Sequence, residues 1–451
     1  MDIKFLGATQ TVTGSKYLLT IGSKKILIDC GLYQGLKELR LRNWANLPID
    51  PAEIDAVVIT HAHIDHTGYI PLLVKKGFKG PIYATPPTTD LCGILLPDSG
   101  HIQEEDAKRA NKYGYTKHRP ALPLYTRLEA EYSLAQFKDV EFGKPTALFP
   151  GIVVTWHRAG HILGASCVEV FADDTRILFT GDLGRSSDPV MRAPNIIQKV
   201  DYLVTESTYG DRLHVKTDPA EQLTQIINKT VKRGGTILIP SFAVGRAQLL
   251  LYYLYKIKEQ KLIADVPVFL DSPMAINATY LMHKYVNEHK LSKEECQDVC
   301  NIATYINTPE ESKELDRSKF PKIIISASGM ATGGRILHHL KVFAPDHHNT
   351  VLFTGFQAEG TRGRRMLEGE QEIKIHGEMI PIRADVEELT NTSAHADYEE
   401  LLQWYKGFTS PPRKVFITHG ELNASENLKK LIEAELGWKC EIPKYLNSES
   451  L

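Results

Sequence analysis

The chain opens on short alternations of apolar and polar residues. Ile3-Lys4-Phe5-Leu6 and Ser15-Lys16-Tyr17-Leu18-Leu19-Thr20-Ile21 predict strands, and a turn at Gly22-Ser23 leads to a third that ends at Asp29-Cys30-Gly31. Several short strands ahead of any helix predict a largely antiparallel sheet. Ile54-Asp55-Ala56-Val57-Val58-Ile59 reads as a buried strand, because β-branched residues suit a pleated, enclosed surface. From Leu91 to Phe137 the apolar spacing is helical. Buried-strand runs then end, one after another, in a His, Asp or Glu. Ile152–Trp156 leads to His161 between Gly160 and Gly164, Arg176–Thr180 to Asp182, Tyr202–Thr205 to Glu206, and Lys414–Thr418 to His419.

The rhythm changes near residue 211. Asp218-Pro219-Ala220-Glu221 is a capping box that opens a helix, and Gly234-Gly235 stops it. Strands at 236–240, 266–271, 322–326 and 351–353 alternate with helices from about Arg246 and over 333–343. Continuous apolar strands alternating with helices predict a parallel, doubly wound sheet. The earlier style returns near 370. The expected organisation is therefore an α/β chain in which residues 209–369 form a domain inserted between 1–208 and 370–451.

Composition narrows the partners. With 451 residues, 42% apolar, 24% charged and a formal charge of −2, this is an ordinary globular chain. A nucleic acid would need a local basic groove. One stretch has that character: Lys108, Arg109, Lys112, Lys117, His118 and Arg119 are interleaved with Tyr113, Tyr115 and Tyr125, although a solvated helical arm would look the same. Six cysteines, at 30, 92, 167, 296, 300 and 440, form no CxxC pair and suggest no disulfide framework, so a reducing cytoplasm fits. No run is long enough to span a membrane, and no secretory leader is evident.

The chemistry concentrates in Thr60-His61-Ala62-His63-Ile64-Asp65-His66-Thr67-Gly68. Four metal-ligand side chains fall within six residues, on a strand-to-helix turn where they can converge. His61 and His63, two apart, face one side, while Asp65 and His66 reach a neighbouring position, which suggests two metals side by side. Leaving such a cluster without a metal would be costly. Asp29 either orients a ligand from behind or caps a turn; His157 reads as packing or surface. In the inserted domain, strands end in small-residue loops carrying Ser241, Phe242, Arg246, Ser328, Gly329, Arg335 and Arg362, with Arg364 and Arg365 close by. Backbone N–H groups and arginines there can hold phosphates, although ordinary helix capping uses the same residues. No loop matches a P-loop or a dinucleotide fingerprint.

Taken together, His61-Ala62-His63-Ile64-Asp65-His66, His161, Asp182, Glu206, His395 in Thr392-Ser393-Ala394-His395-Ala396-Asp397, and His419 resemble the metallo-β-lactamase superfamily, specifically its β-CASP ribonucleases. The chain is similar to the short bacterial and archaeal forms, which are related to the endonuclease subunit of the cleavage and polyadenylation machinery. The resemblance implies an αββα sandwich with an inserted β-CASP domain. It implies two zinc ions, one held by His61, His63, His161 and Asp182, the other by Asp65, His66, Asp182 and His419, with manganese as the other candidate metal. Glu206 and His395 would manage the leaving-group proton, and a histidine at 419 resembles the RNA branch. A narrow cleft beneath the inserted domain would admit single-stranded RNA for endonucleolytic cutting, with 5′-to-3′ exonucleolytic cutting as the other mode the residues do not separate from it, and homodimers occur in relatives. The competing readings are a small-molecule hydrolase on the same metal core and an RNA-binding scaffold that does not cut.

Overall fold

A computed structural model describes residues 1–451 except Tyr115 and Phe356, and except the side chain of Thr390. The chain divides into two compact units, Met1–Leu213 with His395–Leu451, and His214–Ala394.

The first unit holds two seven-stranded sheets. One runs, in spatial order, Ser448–Ser450, Asp2–Phe5, Tyr17–Ile21, Lys24–Ile28, Ala56–Val58, Ile82–Ala84 and Phe137–Asp139. Its first four strands pair antiparallel and the remainder pair parallel. The other runs Cys440–Glu441, Lys414–Ile417, Tyr202–Thr205, Thr175–Phe179, Ser166–Ala172, Ile152–Arg158 and Thr146–Phe149. It too is mixed, parallel at one end and antiparallel at the other. Alternate residues of both sheets, among them Ile3, Phe5, Leu19, Ile28, Val154, Trp156, Val170, Phe179 and Phe416, bury into one shared core. The residues between them, Leu18, Leu27, Leu178 and Val415 among them, are buried on the opposite faces, so each strand end is pinned in register by packing on both sides.

The 91–137 region is helical only in part. A 28-residue helix, Pro86–Tyr113, is followed by an irregular return and a helix at Arg127–Ser133 that opens on a capping box formed by Thr126 and Glu129. The left-handed Gly114 closes the long helix, as a helix C-terminus commonly requires.

The second unit is a six-stranded, wholly parallel sheet in the order Thr304–Tyr305, Val268–Asp271, Ile323–Ser326, Ile237–Pro240, Thr350–Phe353, Asp385–Glu388. A hairpin, Glu372–Ile375 with Glu378–Pro381, buries Ile373, Ile375 and Ile380 in the same core as Leu340 and Phe353. The expected boundary at 369/370 thus falls inside this unit. Residues 370–394 supply the hairpin and the last strand, and the strand expected over 380–385 is instead the end of the hairpin, a short link and the start of Asp385–Glu388. That strand is half-buried and carries Asp385, Glu387 and Glu388, the charge pattern of a protected sheet edge.

Candidate metal centre

The His61–His66 segment leaves the strand Ala56–Val58 and turns at once into a one-turn helix, Ile64–Thr67, with His63 at its N-cap. Neighbouring backbone fixes this turn. The N–H groups of Ser15, Cys30 and Leu32 donate to the carbonyls of Asp65, His66 and Ile64 at 2.8, 2.7 and 2.9 Å. Gly31 permits that approach, since a Cβ there would lie 1.5 Å from the Asp65 carbonyl oxygen. Ser166 grips Thr60 from the next strand, its backbone N and Oγ donating to the Thr60 carbonyl at 2.9 and 2.7 Å. This ties the His161 loop to the His61 turn. The Gly184 N–H donates to Ala159 at 2.8 Å, and a Cβ on Gly184 would collide with the Gly160 carbonyl at 2.0 Å. Asp182 is thereby placed against His161.

Two ligand groups result. His61 Nε2, His63 Nδ1, His161 Nε2 and Asp182 Oδ2 form the first, with His61–His63 at 3.1 Å, His161–His63 at 3.3 Å, and Asp182 at 3.4 Å from His61 and 3.5 Å from His161. Asp65 Oδ2, His66 Nε2 and His419 Nε2 form the second, with His66–His419 at 3.1 Å and His419–Asp65 at 3.3 Å. Asp182 reaches this group through its other oxygen, Oδ1, 3.3 Å from His66 Nε2. One carboxylate therefore presents an oxygen to each group.

The donor set fits divalent metal. Four donors at bond lengths of about 2.0–2.1 Å stand roughly 3.3–3.4 Å apart when tetrahedral, which is the spacing observed. Asp182 Oδ1 is buried and has no hydrogen-bond partner, an arrangement that costs free energy unless a cation meets it. The far side of three of these rings, His61, His66 and His419, is already held. Asp29 Oδ2 lies 2.7 Å from His66 Nδ1. The Thr60 hydroxyl donates to Asp29 at 2.8 Å and so accepts from His61 Nδ1 at 3.1 Å. The Thr208 hydroxyl donates to the His419 carbonyl and accepts from His419 Nδ1, both at 3.1 Å. In each case it is Nε2 that faces inward, where its lone pair would meet a metal once the proton is displaced. Both Asp29 and His419 adopt left-handed backbone, φ +55° and +47°, a strained state that clusters at functional sites.

Electrostatics favour the ligand forms of His61, His63, His161, Asp65 and Asp182. His66 differs: burial opposes its charge, but Asp182, Asp29 and Asp65 raise it well above the ordinary histidine value, and it would give up its proton to a metal. Burial, reinforced by His66, pushes the His61 imidazole down to about 3, burial lowers His63 to about 4, and burial together with His395 lowers His161 well below the ordinary range. Burial would raise the Asp65 and Asp182 carboxyls, but His66 and His419 hold both below the usual carboxylate range. Neutral imidazoles and ionised carboxylates are what a metal requires.

Glu206 and His395 stand beside the first group. His395 Nδ1 lies 3.0 and 3.2 Å from the two Glu206 oxygens. Glu206 is fully enclosed and anchored by the backbone N–H of Leu183 at 2.5 Å. The His395 ring centroid is 4.5 Å from that of His161, and Tyr209 stacks on its other side at 6.2 Å. Burial would depress His395, but the Glu206 carboxylate raises it to about 9, so the ring is cationic at neutral pH. Its position follows from the segment that pairs with Gly184, where the Ala396 N–H donates to Leu183 at 2.8 Å.

Asp29 takes the orienting role among the two open to it. His157 pairs with Glu169 at 3.0 Å, away from the ligand groups. Thr60, Thr208 and Tyr209 escaped sequence reasoning. Hydroxyls and rings are too common for spacing to single them out, although Thr60 and Thr208 do adjoin recognised residues.

The expected phosphate-binding residues lie in the second unit, at the C-terminal ends of its strands. Phe242 is partly exposed and packs against Gly329, while Ser241 is buried and donates to the Phe242 carbonyl. The Arg246 guanidinium lies against Gly355, and Ser328 bonds within its own loop to Thr332 at 3.0 Å. Arg335 is directed at Asp271 and at the Ile306 and Asn307 carbonyls, and Arg362 at the carbonyls of Lys374, Ala331 and Thr332.

Comparison with known proteins agrees with this geometry. Residues 11–221 match the metallo-β-lactamase superfamily, 247–366 the Beta-Casp domain, and 379–443 the Zn-dependent metallo-hydrolase RNA specificity domain. The chain is 35% identical over 440 residues to Ribonuclease TTHA0252 of Thermus thermophilus, covering 96% of each. It is 32% identical over 431 residues to the RNase J-like protein of Methanocaldococcus jannaschii, covering 93% of this chain and 92% of the relative. It is also 32% identical over 468 residues to the transcription termination factor FttA of Methanosarcina mazei, covering 99% of this chain and 70% of the relative. A crystal structure of a protein of unknown function from Enterococcus faecalis shares the fold at a TM-score of 0.56 and 15% identity, covering 100% of this chain and 99% of that one. The chain belongs to the β-CASP ribonuclease family of the metallo-β-lactamase superfamily, a family of metal-dependent hydrolases.

Proposed function

We propose that this chain holds two zinc ions and hydrolyses phosphodiester bonds of single-stranded RNA, as an endonuclease that also degrades from the 5′ end. His61, His63, His161 and Asp182 would hold one ion, and Asp65, His66, His419 and Asp182 the other. Such a pair supplies Lewis acidity toward phosphate oxygens and a water acidified to near neutral pH. His395, charged and steered by Glu206, gives its proton to the departing 3′ oxygen. Water adds to phosphorus, leaving a 5′-phosphate and a 3′-hydroxyl. Asp29, Thr60 and Thr208 keep the ligand rings in place. The observation that carries this reading is Asp182, with one oxygen in each ligand group, beside the Glu206–His395 pair. RNA as substrate draws on relatives named as ribonucleases and on a matching domain named for RNA specificity.

The test is cleavage of labelled single-stranded RNA by purified protein, with and without a chelator, alongside Asp65→Ala and His395→Ala. Zinc-restored cutting that both variants lose supports the reading. Tight RNA binding without cutting would point to a non-cleaving subunit, and turnover of small esters but not RNA to a small-molecule hydrolase.

A further inference from the structure

The basic stretch after residue 107 has no part in the metal centre. From Ala107 to Leu128 the chain carries Lys108, Arg109, Lys112, Lys117, Arg119 and Arg127, and no Asp or Glu, although the whole protein has a net charge of −2. Lys108 pairs with Glu105 and Arg127 with Glu131. Among the described residues, Arg109, Lys112, Lys117 and Arg119 are exposed, and of these Arg109 also feels Asp106 and Glu105 one turn earlier on the helix. They occupy two adjoining pieces of backbone, the last turns of the helix Pro86–Tyr113 and the return that follows it. Asn111 clamps the two together, donating to the Ala121 carbonyl at 3.0 Å and accepting from the Ala121 N–H at 2.7 Å. Tyr113, 68% exposed, stands among these cations, with Lys112 over its ring at 5.3 Å; Tyr115 lies outside the described residues, and Tyr125 is buried.

The far end of the same helix adjoins the metal centre. Thr85 and Thr88 donate to the Gly164 carbonyl at 2.7 and 3.0 Å, three residues beyond His161. From Thr88 to Ala110 the helix rises roughly 33 Å, at about 1.5 Å per residue. A stacked strand advances about 3.4 Å per nucleotide, so roughly ten nucleotides connect the two places.

We infer that this arm is a docking surface for the sugar-phosphate backbone of single-stranded RNA, engaged only by substrates long enough to reach from the metal centre to Arg109, Lys112, Lys117 and Arg119. The inference rests on the ribonuclease reading above. Four exposed cations beside an exposed tyrosine match a polyanion with stackable bases. An acidic protein would match the charge but would leave RNA kinetics unchanged.

The experiment compares the wild-type holoenzyme with the Arg109→Ala/Lys112→Ala/Lys117→Ala/Arg119→Ala variant on a 30-nucleotide and a 4-nucleotide single-stranded RNA, at several salt concentrations. KM for the 30-mer should rise by about tenfold or more, and its salt dependence should flatten by roughly 0.7 per lost phosphate contact in a log–log plot. kcat should stay within twofold, as should KM for the 4-mer. The matching lysine-for-arginine variant (Arg109→Lys/Arg119→Lys) should retain the wild-type KM. An unchanged KM for the 30-mer, an equal rise on both lengths, or an unaltered salt slope overturns the inference while leaving the ribonuclease reading intact. If the wild-type protein cuts neither RNA, the ribonuclease reading itself has failed.

Discussion

At the scale of the residue, Asp182 and Asp29 do different kinds of work. Asp182 faces inward with both oxygens, and Asp29 never touches a metal position yet sets the tautomer of His66 directly and that of His61 through Thr60. Asp65 serves only the second group. Asp65→Ala should therefore cut bound metal from two ions per chain to about one, as read by elemental analysis, and lower RNA cleavage by about 1,000-fold or more. Retention of two ions would sink the assignment of Asp65. Asp29→Ala should leave metal stoichiometry at saturation unchanged but weaken affinity about 10- to 100-fold in a chelator competition. His395→Ala should keep both ions and lose about 100- to 10,000-fold in cleavage rate, since in the proposed mechanism the group removed handles a proton and no metal.

Among the elements, the most exacting arrangement outside the metal centre joins the strand Val268–Asp271 to the helices Pro309–Arg317 and Ile336–Phe343. His339, fully enclosed, places Nε2 2.7 Å from Asp271 and Nδ1 2.6 Å from Asp316, while Ser312 and Arg335 also bond to Asp271. Burial opposes the charge on His339, but the two carboxylates win and raise it above the ordinary histidine value. The sign follows. Stability from this charged ring is complete below the unfolded value of about 6.5 and is lost as pH rises through the higher folded value. His339→Leu should cost about 3 kcal/mol, because it takes the charged ring from between buried Asp271, which keeps Arg335, and half-buried Asp316. Denaturant unfolding from neutral to alkaline pH should show the gap between wild type and variant narrowing as pH rises; a constant gap would mean the ring is not charged.

Elements also mark where pattern reading reached and where it stopped. Buried strands ending in ligands were legible because each is a short apolar run closed by glycine or a polar turn, and both signals are local. The strand Asp385–Glu388 was not, because its three acids suit a sheet edge and look like a loop. The break after Gly114 was hidden for a different reason: apolar Leu124 and Leu128 keep a helical spacing of four, while the return is held from outside by Asn111, Gln103, Ser99 and Lys75, contacts the local pattern does not show.

For the whole molecule, the chain completes its first unit only after leaving it. Residues 1–213 supply His61 to Glu206, and 395–451 supply His395 and His419. The returning strand Lys414–Ile417 pairs parallel with Tyr202–Thr205, which sets His419 beside Thr208 and opposite His66. Four carboxylates, Asp29, Asp65, Asp182 and Glu206, gather there with too few cationic side chains to balance them without metal. Chelation should lower the melting temperature by roughly 10 °C, taking about 4 kcal/mol for a ligand at a thousandfold excess over its Kd, and zinc should restore it. Identical melting curves before and after verified metal removal would contradict a shared centre.

Residue order alone carried the chemistry on offer: which strands end in candidate ligands, that imidazoles and carboxylates predominate, and that a parallel α/β unit interrupts another domain, whose sheets, expected to be largely antiparallel, are mixed. Those properties depend on residue type and on neighbours a few positions away. The grouping came with the fold. That Asp182 splits its oxygens, that Thr60 and Thr208 set the tautomers of His61 and His419, and that Glu206 holds His395 in its charged form all depend on strands far apart in the chain meeting in one register. Sheet pairing and core packing set that register, because a one-residue slip would turn every ligand to the opposite face.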